Sequence, residues 1–122
     1  MPGYREKTLI VTFPNGTSGT RLVNLVTDSD AEEIVGIKAI RVNDGGAAYY
    51  NVGFKPQNGG QYVKDVTHVD DLVATTAVAK SDRWNEVSAP AKGATYQVEF
   101  NFPTALSTAN FELHFQTRCR IL

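Results

Sequence analysis

Two stretches near the end of the chain alternate apolar and polar residues almost without error, and they restrict the fold more than anything else in the sequence. In the first, Tyr96, Val98, Phe100 and Phe102 fall on one side and Thr95, Gln97, Glu99 and Asn101 on the other. In the second, Phe111, Leu113, Phe115, Cys119 and Ile121 share a side with Thr117, opposite Asn110, Glu112, His114, Gln116, Arg118 and Arg120. Successive strand side chains point to opposite faces of a sheet, so a period of two implies one buried face and one wet face.

The remainder of the chain extends this pattern. Lys7 to Phe13 reads as a strand with Leu9, Val11 and Phe13 on one side. The turn formers from Pro14 to Gly19 then predict a hairpin leading into Thr20–Val26. That second strand is apolar on both faces, with Leu22 and Val26 against Val23 and Leu25, so a cover on each side is expected. Asp28 to Glu33 resembles a helix start, but Gly36 and the β-branched residues after it favour a loop or single turn, then a strand over Val35–Val42. Asn43-Asp44-Gly45-Gly46 predicts a tight hairpin turn into a strand over Ala48–Lys55, because these residues tolerate positive φ. Gln61–Val66 reads as a short strand, 70–80 as a short helix, and Ser81–Gly93 as a loop carrying Trp84.

Many short strands separated by turn signals predict a single all-β domain over 1–122, with residues 1–6 as an extended N-terminal arm. The architecture expected is an antiparallel β-sandwich of jelly-roll type, with a partly closed β-barrel as the alternative. At 122 residues the chain is long enough for its own core, and its 42% hydrophobic and 20% charged residues are globular values. A net charge of −1 lacks the basic footprint of a nucleic-acid binder. No apolar run is long enough for a membrane span, and no signal peptide is evident, so synthesis in the cytosol is expected.

Catalytic chemistry has little to stand on. Cys119 falls on the apolar side of its strand and His114 on the polar side, roughly 16 Å apart at strand rise. Cys119 therefore reads as a small buried hydrophobe and not as a nucleophile. His68 stands near Asp65, Asp70 and Asp71, where His68 and Asp70 form a weak metal candidate, although capping and surface exposure explain the same residues. Asp28 and Asp30 supply too few oxygens for calcium. The glycine pairs at 45–46 and 59–60 lack the context of a phosphate loop. The expectation is a chain that is not an enzyme and uses no cofactor.

Binding residues stand out more clearly. Tyr49, Tyr50, Tyr62 and Trp84 lie in or beside turns, where aromatics form sugar platforms or protein hot spots. Arg118 and Arg120 form a basic stripe that either meets an acidic neighbour or pairs with Glu99 across a terminal hairpin. These features lead to two functional expectations. One is a virion structural protein, most simply a bacteriophage capsid decoration, minor capsid or tail component, acting through self-association and protein contacts. The other is a small carbohydrate-binding module in which Trp84 shares an exposed surface with Tyr49 or Tyr50.

Overall fold

The computed structural model describes residues 3–46, 49–57, 61–69, 72, 84–107 and 110–121. Among the described residues eight strands follow in chain order: β1 (Gly3–Phe13), β2 (Gly19–Val26), β3 (Ala31–Asn43), β4 (Asn51–Pro56), β5 (Lys64–His68), β6 (Asn85–Pro90), β7 (Thr95–Phe102) and β8 (Phe111–Ile121). They form two antiparallel four-stranded sheets, in the order β1-β8-β3-β6 for sheet A and β2-β7-β4-β5 for sheet B. Strands consecutive in sequence fall in opposite sheets at most crossings, which is the winding of a jelly-roll sandwich. The barrel alternative does not hold, because the two sheets stay separate.

The alternation placed the core correctly. Phe100, Phe102, Phe111, Leu113 and Phe115 are buried between the sheets, as are Val11, Ile34, Ile37, Val52 and Phe54. At one end Phe13, Tyr50, Phe100, Phe102 and Phe111 form an aromatic cluster, with Tyr50 and Phe111 edge-on at 5.0 Å between centroids. Further along, Phe54 stacks on Tyr96 at 5.0 Å and tilts against Phe115 at 5.4 Å. Edge-to-face and offset contacts of this kind suit the ring quadrupoles and add to the burial of the rings themselves.

The expected hairpins are corrected. β1 pairs with β8 over eleven residues without a slip, from Gly3↔Ile121 to Phe13↔Phe111, while β2 pairs with β7 and β4 with β7 and β5. The turn chemistry was right, since Gly45 and Gly46 both take positive φ and the Asn43 side chain accepts from the Gly45 amide. The turn instead carries the chain from one sheet to the other. Turn residues define where a chain reverses, whereas the backbone partner is chosen by which strand satisfies the most amides and carbonyls. An eleven-residue β8 satisfies β1 better than an eight-residue β2 does.

Other boundaries differ as well. β3 begins at Ala31, so part of the segment read as a turn is strand. β6 lies inside the segment read as a loop, with Pro90 at its end and Ala89 buried opposite Ile34. β1 reaches back to Gly3 across most of the segment expected to be an arm. β2 is covered on one face only, leaving Leu22 and Val26 exposed on the other. The helix expected over 70–80 lies outside the described residues except for Leu72, which is buried and accepts from the Ala39 amide.

Candidate functional site

Position in the fold separates the expected site residues. Tyr50 is fully buried in the aromatic cluster, where its hydroxyl donates to Asp44, so it is unavailable as a surface platform. Tyr49, beside it in the segment that leads into β4, is left outside and stacks on His68 with 5.9 Å between centroids. Tyr62 donates to Glu99 at 2.8 Å, and the Lys55 ammonium lies 3.2 Å from the same carboxylate. Glu99 raises the titration of both partners, favouring the protonated phenol and the charged amine.

Glu99 thus belongs to sheet B, and the expected pairing with Arg118 and Arg120 is corrected. β7 and β8 lie in different sheets, so no terminal hairpin brings these side chains together. Arg120 instead approaches Glu32 and Glu33 of β3. Arg118 stands over the Tyr4 ring, its guanidinium carbon 4.6 Å from the centroid. Its Nε is buried without a hydrogen-bond partner among the described residues.

The outer face of sheet A holds a groove at this place. In register across the sheet stand Glu6 of β1, Arg118 of β8, Gly36 of β3 and Glu86 of β6. Gly36 leaves a gap that Trp84 enters: a Cβ at Gly36 would lie 3.2 Å from Trp84 Cε3 and 3.3 Å from its Cβ. The Lys38 ammonium sits 4.4 Å from the Trp84 ring centroid. A β-bulge at Val35 breaks the register beside Gly36, and Tyr4, Val35, Gly36, Trp84, Glu86 and Arg118 all line the groove. Bulges often re-aim side chains next to binding sites. The sequence reading found Trp84 and Arg118 but missed Tyr4, Gly36 and Glu86. A glycine inside a β-branched strand pattern was the available signal, because it marks a bulge or a close approach.

The two sides of the sandwich have different edges. On one side lie β5, five residues with Lys64 and Asp65, and β6, six residues with Glu86 and Pro90. Short strands, charges and proline all blunt an edge. The other side carries β1, eleven residues long, and β2, eight residues long. β1 is uncharged from Thr8 to Phe13 and β2 from Leu22 to Val26, with Ile10 61%, Leu22 47% and Val26 59% exposed.

Only one end of the β1 edge is guarded. The Arg5 guanidinium bonds Asp28 and Asp30 at 2.8 Å each, and Lys7 bonds Asp28 at 2.7 Å, tying β1 to the loop between β2 and β3. Lys7 and then Arg5 hold the Asp28 carboxyl below its usual range, and Arg5 does the same for Asp30. These pairs stand at the mouth of a cavity of about 150 Å³ that also reaches Leu9, Leu25, Thr117 and Cys119. Burial, followed by the charge on Asp28, pushes the Cys119 thiol above its ordinary value. Among the described residues no group of three His, Cys, Asp or Glu side chains could hold a metal, and Asp70 lies outside those residues.

Sheet order and core define an all-β jelly-roll sandwich. Against known proteins, the chain matches no family model, no curated protein and no solved structure.

Proposed function

We propose that this chain is a structural subunit of a virus particle, most simply a bacteriophage capsid, decoration or tail component, working by self-association through its β1 side. The observation that carries the reading is the contrast between the two sides of the sandwich: short, charged edges at β5 and β6, and long edges with uncharged stretches at β1 and β2. An unguarded edge is a liability in a free monomer and a docking device in an assembly. Jelly rolls are also a recurrent architecture of capsid subunits, which adds support by analogy of fold alone.

The β1 sequence favours one self-complementary register. An antiparallel pair of β1 strands related by a two-fold axis at Ile10 sets Ile10 against its own copy and Thr8 against Thr12. β-branched side chains then face one another, which strengthens cross-strand contact. A register centred on Glu6 sets Glu6 against Glu6 and Arg5 against Lys7, opposing like charges. Sedimentation velocity of the full chain across a wide concentration range tests the proposal. Self-association that Ile10→Lys abolishes is the expected result. A single monomer at every concentration, or an oligomer indifferent to both Ile10→Lys and Leu22→Lys, overturns it.

A further inference from the structure

We infer that the groove on the outer face of sheet A is a binding site for an uncharged carbohydrate. The inference stands apart from self-association, since the groove lies on a sheet face and not along the β1 edge. It also replaces the surface expected from the sequence, because Trp84 shares the groove with Tyr4 and Arg118, while Tyr50 is buried.

Three properties of the groove select this ligand class. The first is the aromatic pair. Tyr4 lies over Arg118 of β8 and Trp84 lies on Gly36 of β3, so two aromatic rings stand on one face over neighbouring strands. Aromatic rings offer apolar faces to the C–H faces of a sugar, and Tyr and Trp keep a polar end for water.

The second property is an unfilled donor. Arg118 has no carboxylate partner among the described residues, and its Nε is buried with nothing to donate to. Arg118 lines the groove with no carboxylate among the described residues to hold it, so its guanidinium is offered to a ligand oxygen that enters there. Sugar hydroxyls and ring oxygens are acceptors of that kind.

Charge is the third property, and it decides between a neutral and an anionic ligand. Glu6 and Glu86 flank Arg118 and Gly36 in the cross-strand register and the Lys38 ammonium lies on the Trp84 ring, so two carboxylates balance two cations. The rim carries no net charge with which to select an anion. A neutral polyol instead meets donors on Arg118 and acceptors on Glu86, matching hydroxyls that both give and take hydrogen bonds.

Trp84 is the single tryptophan of the chain, so its emission reports on the groove directly. The experiment titrates the full chain with methyl glycosides of glucose, galactose, mannose and N-acetylglucosamine, alongside glucuronic and sialic acid glycosides. A saturable change in Trp84 emission with at least one neutral glycoside is expected. Arg118→Met and Glu86→Gln should each weaken it by about tenfold or more. Arg21→Met, on an exposed edge in the other sheet, should leave it unchanged. Glu86 is exposed, so Glu86→Gln keeps the test sound should Arg118→Met disturb the sheet. No saturable response, a response to acidic glycosides alone, or a neutral response that survives both substitutions overturns the inference.

Discussion

Arg118 and Tyr4 meet on the outer face of sheet A, the guanidinium carbon 4.6 Å from the ring centroid, while Arg118 Nε is buried with no hydrogen-bond partner among the described residues. The ring contact is worth about 0.5–1 kcal/mol at a partly exposed site, and the unpaired donor costs about 1–3 kcal/mol. The cost exceeds the gain. Arg118→Met should therefore leave stability unchanged or raise it, measured by urea unfolding. A loss above about 1 kcal/mol would mean that the guanidinium finds a partner in solution.

Gly53 of β4 lies against β5, where an added Cβ would fall 2.7 Å from Val66 Cγ2 and 3.0 Å from the Val66 backbone. The strand cannot retreat without breaking its ladder. Gly53→Ala should cost about 1–3 kcal/mol by overpacking. Gly36→Ala meets only the Trp84 side chain and should be milder, with a shift in Trp84 emission as its signature.

Phe111 packs against Phe13, Tyr50, Phe100 and Phe102 with no exposed surface. Truncation leaves a cavity that four rings cannot collapse together. Phe111→Ala should lower stability by about 3–5 kcal/mol in chemical denaturation.

The pairs of Asp28 and Asp30 with Arg5 and Lys7 make the β1–β2 mouth sensitive to acid. Both carboxyls titrate lower in the folded chain than the unfolded value of about 3.9. Their contribution is therefore complete at neutral pH and is lost as pH falls below about 4, through the folded values. Thermal melts from pH 7 to pH 3 should show that loss, and it should shrink in Asp28→Asn. Because the pairs are solvent-exposed, added salt should shrink it as well.

Cys119 is 6% exposed behind the same mouth, and its thiol is held in the protonated form. Alkylation by iodoacetamide at pH 8 should be slow in the native chain and faster in Asp28→Asn, which removes a tie across the opening and a charge that opposes the thiolate. Equal rates in the two proteins would show that the ion pairs do not gate access.

Burial was legible in the sequence wherever a strand has one wet face. The phase of β7 and β8 placed Phe100, Phe111 and Cys119 inward, and the phase of β1 left Ile10 outside. Partnership was not legible, because alternation specifies a face and is silent about the neighbouring strand. Arg118 illustrates the limit. Its outward phase was evident, but assigning it to Glu99 assumed that strands adjacent in sequence pair in space. The groove was harder still, since it joins Tyr4, Gly36, Trp84 and Arg118 from four separate segments, and Gly36 as a mark of the bulge says nothing about which side chains meet there.

β8 is the last of the eight strands in chain order, yet it runs through the middle of sheet A between β1 and β3. During synthesis, β1, β3 and β6 emerge before the strand that joins β1 to the β3–β6 pair exists, and the Gly3↔Ile121 pair links the first residue of β1 to the last of β8. Sheet A is therefore completed late, through contacts of long sequence separation that fold slowly. The β1 edge acquires its rigid backing only when β8 is in place, so the edge strand that starts the sheet is the one left unsupported longest.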